Sequence, residues 1–149
     1  MNKTVNTDSI GFVISDVARL MRTAFEREVA DAGFGLTKGE ARTLVHAARA
    51  GSVRQNVLAE RMSLEPMTLC AYLDRLEARG LITRSVDPDD RRAKRVELTN
   101  AAEEVLRRTR KVSDILRITA SKGFTPEEWD DFFEKMKRVR DNFCEKKST

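Results

Sequence analysis

Apolar residues recur at steps of three and four over most of this chain, and the pattern changes to alternation in one place. From Asp8 to Val29 they fall at Ile10, Phe12, Val13, Val17, Leu20, Met21, Ala24 and Phe25. That spacing predicts an amphipathic helix, ended by the AGFG segment after it. TKGE, Thr37 to Glu40, has the form of a capping box and opens a second helix through Leu44 and Val45 to Gly51. SVRQ, Ser52 to Gln55, has the same form and predicts a short third helix carrying Val57, Leu58 and Met62. Pro66 suits the first turn of a fourth, in which Leu69, Leu73 and Leu76 make one stripe and Gly80 is the stop. LITRSV and KRVELT then alternate on either side of a charged turn, predicting a two-stranded hairpin with Val96 and Leu98 on one face. Pro88 belongs in a turn rather than in a strand interior. Helical spacing returns from about Asn100 to Ser121, and Gly123 ends it. TPEE, Thr125 to Glu128, opens a last helix with Trp129, Phe132, Phe133, Met136, Val139 and Phe143.

Short helices, a tight turn, a further helix and a hairpin are the outline of a winged helix-turn-helix. The fold class expected is mainly α with a small β-hairpin wing, flanked by N- and C-terminal helices. Those flanking helices carry apolar residues over a wide arc, more than one small domain covers, which points to a second copy of the chain as partner. The reading is one domain over residues 1–149, with a DNA-binding lobe at about 36–99 and dimerisation helices at about 8–33 and 100–147.

Composition narrows the function. With 149 residues, 40% hydrophobic and 35% charged, the chain suits a soluble helical domain. No apolar run is long enough for a bilayer, and MNKTVNTDS lacks a signal-peptide core, so a cytoplasmic protein without a membrane partner is expected. Cys70 and Cys144 have no CxxC spacing and only His46 beside them, which argues against a metal site and a disulfide framework. There is no paired-carboxylate site, no nucleophile with a base and no glycine-rich phosphate loop, so neither catalysis nor a cofactor is expected. The net charge of +4 says little, but Arg91, Arg92, Lys94 and Arg95 form the densest basic cluster.

That cluster sits in DPDDRRAKRVELT, Asp87 to Thr99. A guanidinium on a short turn can enter the narrow, negative minor groove. Asp87 and Asp90 can accept from the turn backbone and pair with neighbouring arginines, fixing where those point. The bland alternative is a solvated turn.

The segment resembles the wing of the MarR family of bacterial transcriptional regulators: Asp87, Asp90 and Arg92 match its DxxDxR pattern, and VELT its exit into the next helix. LAERMSLEPMTLCAYLDRLEARGLITR resembles the family's helix-turn-helix, and DRRAKR with DVARLMR (Asp16 to Arg22) is similar to the SlyA-type subgroup. The resemblance implies a homodimer that binds palindromic double-stranded DNA, usually as a repressor, with release by a small aromatic carboxylate or phenolic effector. On that basis Pro66 opens the recognition helix, and Met67, Thr68, Ala71, Tyr72 and Arg75 face the major groove, Met67 against a thymine methyl and Arg75 against phosphate. Arg54 and Gln55 would hold the DNA backbone at the preceding helix N-terminus, and Arg91, Arg92 and Lys94 would serve the wing. Tyr72 is equally readable as a half-buried amphipathic residue. Ala71 stands where the family commonly has arginine or a polar residue, which shifts specificity towards the wing and DNA shape.

For the effector, Arg19 and Arg84 are candidate carboxylate partners, with structural ion pairs as the alternative for each, and His46 a candidate neighbour or a satisfied half-buried side chain. Cys70 is either a small apolar residue or a redox-active thiol. Two other readings remain: a winged-helix module that binds an acidic protein surface, and a thiol-based redox regulator.

Overall fold

The computed structural model describes residues 8–144. Residues 1–7 and 145–149 lie outside the described residues, and with them the last three positions of the flanking segment expected at about 100–147. The elements are α1 (Ile10–Asp31), α2 (Lys38–Ala50), β1 (Val53–Arg54), α3 (Gln55–Met62), α4 (Pro66–Ala78), β2 (Ile82–Val86), β3 (Lys94–Leu98), α5 (Ala102–Ala120) and α6 (Pro126–Cys144). The mainly helical class with a small β wing is what the periodicity predicts.

Two of the three expected capping boxes form. Thr37 accepts from the Glu40 backbone at 3.3 Å while Glu40 accepts from the Thr37 backbone at 3.0 Å. Thr125 and Glu128 do the same at 3.2 and 2.8 Å, satisfying N–H groups that a helix start leaves unpaired. The third, SVRQ, does not form. Val53 is buried and pairs with Val96, and Arg54 pairs with Arg95. Arg54, not Ser52, is the α3 N-cap, without a side-chain cap bond. The Ser52 hydroxyl instead accepts from Arg95 at 3.2 Å. Burial of Val53 against β3 outweighs a local cap here, since a buried valine gains about 1.5 kcal/mol or more and a cap about 1.

The expected two-stranded hairpin is therefore a three-stranded antiparallel sheet, ordered β1-β3-β2. In the hairpin Ile82 pairs with Leu98 and Val86 with Lys94. Val96 and Ile82 face the core, while Val86 points to solvent.

The chain forms two compact units, one reaching Ser113 and the other beginning at Asp114. The core of the first is built from Leu44 on α2, Leu58 on α3, the Leu69, Leu73 and Leu76 stripe of α4, Ile82 and Val96, all fully buried. The AGFG segment turns through Gly33 and Gly35, both at positive φ. Between them Phe34 is buried beneath the Arg108 guanidinium, 4.6 Å from the ring centre, a cation–π contact. α1 buries only Val29 and exposes Ile10, Phe12, Val13, Val17, Leu20 and Met21. In the second unit Phe124, Trp129 and Phe132 pack ring against ring at 5.7 to 6.0 Å. α6 buries no residue, and Phe132, Phe133 and Phe143 are exposed along it.

Candidate nucleic-acid interface

α4 is held by its leucine stripe, and this determines what its other side offers. Helical spacing puts Met67 and Ala71 opposite the buried leucines, with Thr68 and Cys70 on the flanks. Met67 is 80% exposed. Pro66 and Thr68 are exposed, while Cys70 and Ala71 are half-buried. Tyr72 lies away from this face. A Cβ built on Gly39 of α2 would overlap the Tyr72 ring, so the half-buried tyrosine packs against α2. Arg75 pairs with the buried Glu40 of α2 at 3.5 Å and stays half-exposed. The capping glutamate of α2 thus also ties down α4.

The wing is organised around Asp87, whose side chain is fully buried. Its carboxylate accepts from Arg54 at 2.9 and 3.0 Å and from Arg95 at 2.7 Å. It also accepts from the backbone N–H groups of Asp89 and Asp90 at 2.9 and 3.1 Å. The hydrogen bonds from Arg54 and then Arg95 hold this carboxyl well below the ordinary carboxylate range. Arg54, expected from sequence to be available to a phosphate, is paired inside the protein. Arg95, which the sequence places only in the basic run, is the other half of the clamp.

Asp90 accepts from the Arg92 backbone at 3.0 Å, and its carboxylate stands 4.0 Å from the Arg92 guanidinium. Arg92 is 97% exposed, and Arg91 and Lys94 are exposed beside it. Acids fix the turn and the basic side chains are left projecting from it.

α4 and the wing rim one open cleft of about 440 Å³, lined among others by Gln55, Asn56, Pro66, Cys70, Arg92 and Lys94. Gln55 donates to the Cys70 sulfur at 2.7 Å, and its own carbonyl oxygen is buried without a partner. Asn56, exposed at the start of α3, was not singled out by sequence. Arg84 also lines the cleft, but its guanidinium is occupied. It donates to Glu77 at 3.1 and 2.6 Å and to Asp74 at 2.6 Å, and its bonds hold the Glu77 carboxyl below its usual range. Of the two readings of Arg84, the ion pair is the one observed.

A second crevice, about 270 Å³, lies between α1, α2 and the end of α3. Phe25, Met21, Val45 and Met62 line it together with Arg22, Arg42, Arg61 and His46. Burial first, then Arg42, Arg49 and Arg22, push the His46 imidazole below its ordinary 6.5, and burial with Arg22 lowers Arg42. This is a cationic, partly apolar recess. His46 is in it. Arg19 does not line it: its side chain is 64% exposed and pairs with Asp16 at 3.1 Å. Sequence missed Arg22, Arg42 and Arg61, whose only signal is helical position relative to His46 and Phe25.

Residues 36–94 match the MarR family. They span the helix-turn-helix, the α4 leucine stripe and the wing turn. Those residues form a winged helix-turn-helix lobe, with helices α2 to α4 followed by the β2–β3 hairpin. The whole chain follows the same fold: a MarR-family regulator from Rhodococcus sp. RHA1 superposes with a TM-score of 0.73 at 25% identity, covering 92% of this chain and 96% of that one. The apo form of MarR from E. coli gives 0.72 at 20% identity, with 93% and 98% covered. Bordetella bronchiseptica BpsR, whose DNA binding is regulated by 6-hydroxynicotinic acid, gives 0.68 at 18%, with 94% and 99% covered. The chain thus shares the fold of these proteins. Among the described residues no helix is long and apolar enough to cross a membrane, and no cluster of metal-ligating side chains is present.

Proposed function

We propose that this chain is a homodimeric MarR-type transcriptional repressor of the bacterial cytoplasm that binds palindromic operator DNA on the nucleoid. It inserts α4 into the major groove and the wing into the minor groove. The observation that carries this reading is the shared cleft. An exposed helix N-terminus and a turn with projecting arginines flank one opening, and a carboxylate buried behind the turn fixes it. DRRAKR and DVARLMR support a place in the SlyA-type subgroup. The exposed apolar side chains of α1 and of α6 support pairing of two chains through the flanking helices.

The test is binding to operator-length duplexes as salt is varied. Arg92→Ala is expected to weaken binding by on the order of 1–3 kcal/mol per subunit, about a hundredfold over a dimer, and to lower the salt slope. Binding that ignores salt, or that survives Arg92→Ala unchanged, removes the wing from the interface. Salt-sensitive binding to an acidic protein with none to DNA supports the protein-interaction module instead.

Release by an effector belongs to the same proposal. The arginine-lined crevice beside His46 suits a small aromatic carboxylate, with the charge met by Arg22, Arg42 or Arg61 and the ring by Phe25 and Met62. Millimolar salicylate is expected to displace DNA from the wild type. In Arg42→Ala the salicylate midpoint should rise about tenfold, as for a lost charge-assisted bond. An unchanged midpoint places the ligand elsewhere.

A further inference from the structure

The outward face of α4 has an unusual property: over its first two turns the Thr68 hydroxyl is its one exposed polar side-chain group, and it carries no guanidinium, ammonium or amide able to make a bidentate contact to a base. Its first two turns, Pro66 to Leu73, contain no arginine, lysine, asparagine or glutamine. The outward groups further along are taken. Asp74 accepts from Arg84 at 2.6 Å, and Arg75 pairs with Glu40. Of the two amides that line the cleft from α3, the one on Gln55 donates to the Cys70 sulfur, and the one on Asn56 belongs to α3 rather than to α4. What remains at the tip is the 80% exposed Met67 thioether, the Thr68 hydroxyl and methyl, and the Ala71 methyl one turn beyond Met67.

Guanine is recognised in the major groove by a bidentate donor to O6 and N7, and adenine by an amide. Thymine differs in presenting a 5-methyl group, which apolar side chains contact. A face of methyl and thioether groups is matched to that feature alone. We infer that this protein selects its half-sites through thymine 5-methyl groups packed on Met67 and Ala71, with guanine contacts absent from the recognition helix. The inference rests on the DNA-binding reading and specifies the base chemistry of its target. Met67 is the specificity-determining residue, and its exposure in the free chain is apolar surface awaiting that contact.

The experiment uses the full-length protein and duplexes enriched on it from a random-sequence library. The enriched duplexes are then resynthesised with deoxyuridine for thymidine, which removes only the 5-methyl groups. Wild-type protein is expected to lose about fourfold in affinity for each contacted methyl, and more than tenfold over two half-sites. Met67→Ala, a change at an exposed position, is expected to lose most of the discrimination between thymine and uracil duplexes, leaving the share carried by Ala71, while keeping the wild-type salt slope. Arg92→Ala should behave in the opposite way, with a lower salt slope and the uracil discrimination retained. Enriched duplexes that bind equally well with uracil, or discrimination that persists undiminished in Met67→Ala, overturn the inference and leave DNA binding intact. Failure to enrich any duplex overturns both.

Discussion

His46 shows how much a single side chain depends on what folds around it. In sequence it is the one histidine of the chain, on the second helix. In the fold it is half-buried with Arg22, Arg42 and Arg49 near enough to oppose its charge. The unfolded chain binds a proton on this imidazole near pH 6.5, and the folded chain does so only at lower pH. Stability is therefore complete above 6.5 and is lost as the pH falls from there through the folded value. Thermal melts between pH 7.5 and 5.5 should show this decline, and His46→Gln should flatten it. An equal decline in the variant would assign the effect to another group. The same reasoning separates residues that sequence can place from those it cannot. Met67 and Thr68 are legible because a leucine stripe fixes the opposite face. Tyr72 is not legible, because its side is decided by Gly39 on another helix.

Among the elements, those built by neighbours in sequence were legible. TKGE and TPEE cap their helices as expected because both partners of each box lie three residues apart. SVRQ fails because a non-local pairing, Val53 with Val96, competes with it, and nothing near Val53 announces a strand two residues long. The wing is half legible for the same reason. Its acids were readable as order-givers, yet the arginine that meets Asp87 in two hydrogen bonds, Arg54, sits 33 residues away. Asp90 provides the sharpest test at this scale. It removes positive charge from the wing on paper, so simple attraction predicts tighter DNA binding in Asp90→Ala. Its carboxylate also receives the Arg92 backbone N–H, so its loss is expected to loosen the turn and weaken binding by about 1 kcal/mol, roughly fivefold. Titration of one labelled duplex with both proteins gives the sign, and a tighter variant would refute the ordering role.

At the scale of the molecule, the proposed dimer makes the most exposed demand. Phe132 and Phe133 are 42% and 51% exposed, an arrangement that a soluble chain resolves by covering them. Replacing both by aspartate is expected to turn a dimer into a monomer by sedimentation at micromolar concentration and to abolish operator binding, since each half-site alone holds only one helix and one wing. A wild-type monomer under the same conditions would remove the architecture. The closed turn around Asp87 also bears on the heat of the reaction. Because that carboxylate already gathers Arg54, Arg95 and two backbone N–H groups in the free chain, docking leaves no part of the wing to fold. The heat-capacity change on binding should then reflect covered surface alone, without the larger negative contribution of coupled folding, and the binding enthalpy should vary only gently with temperature.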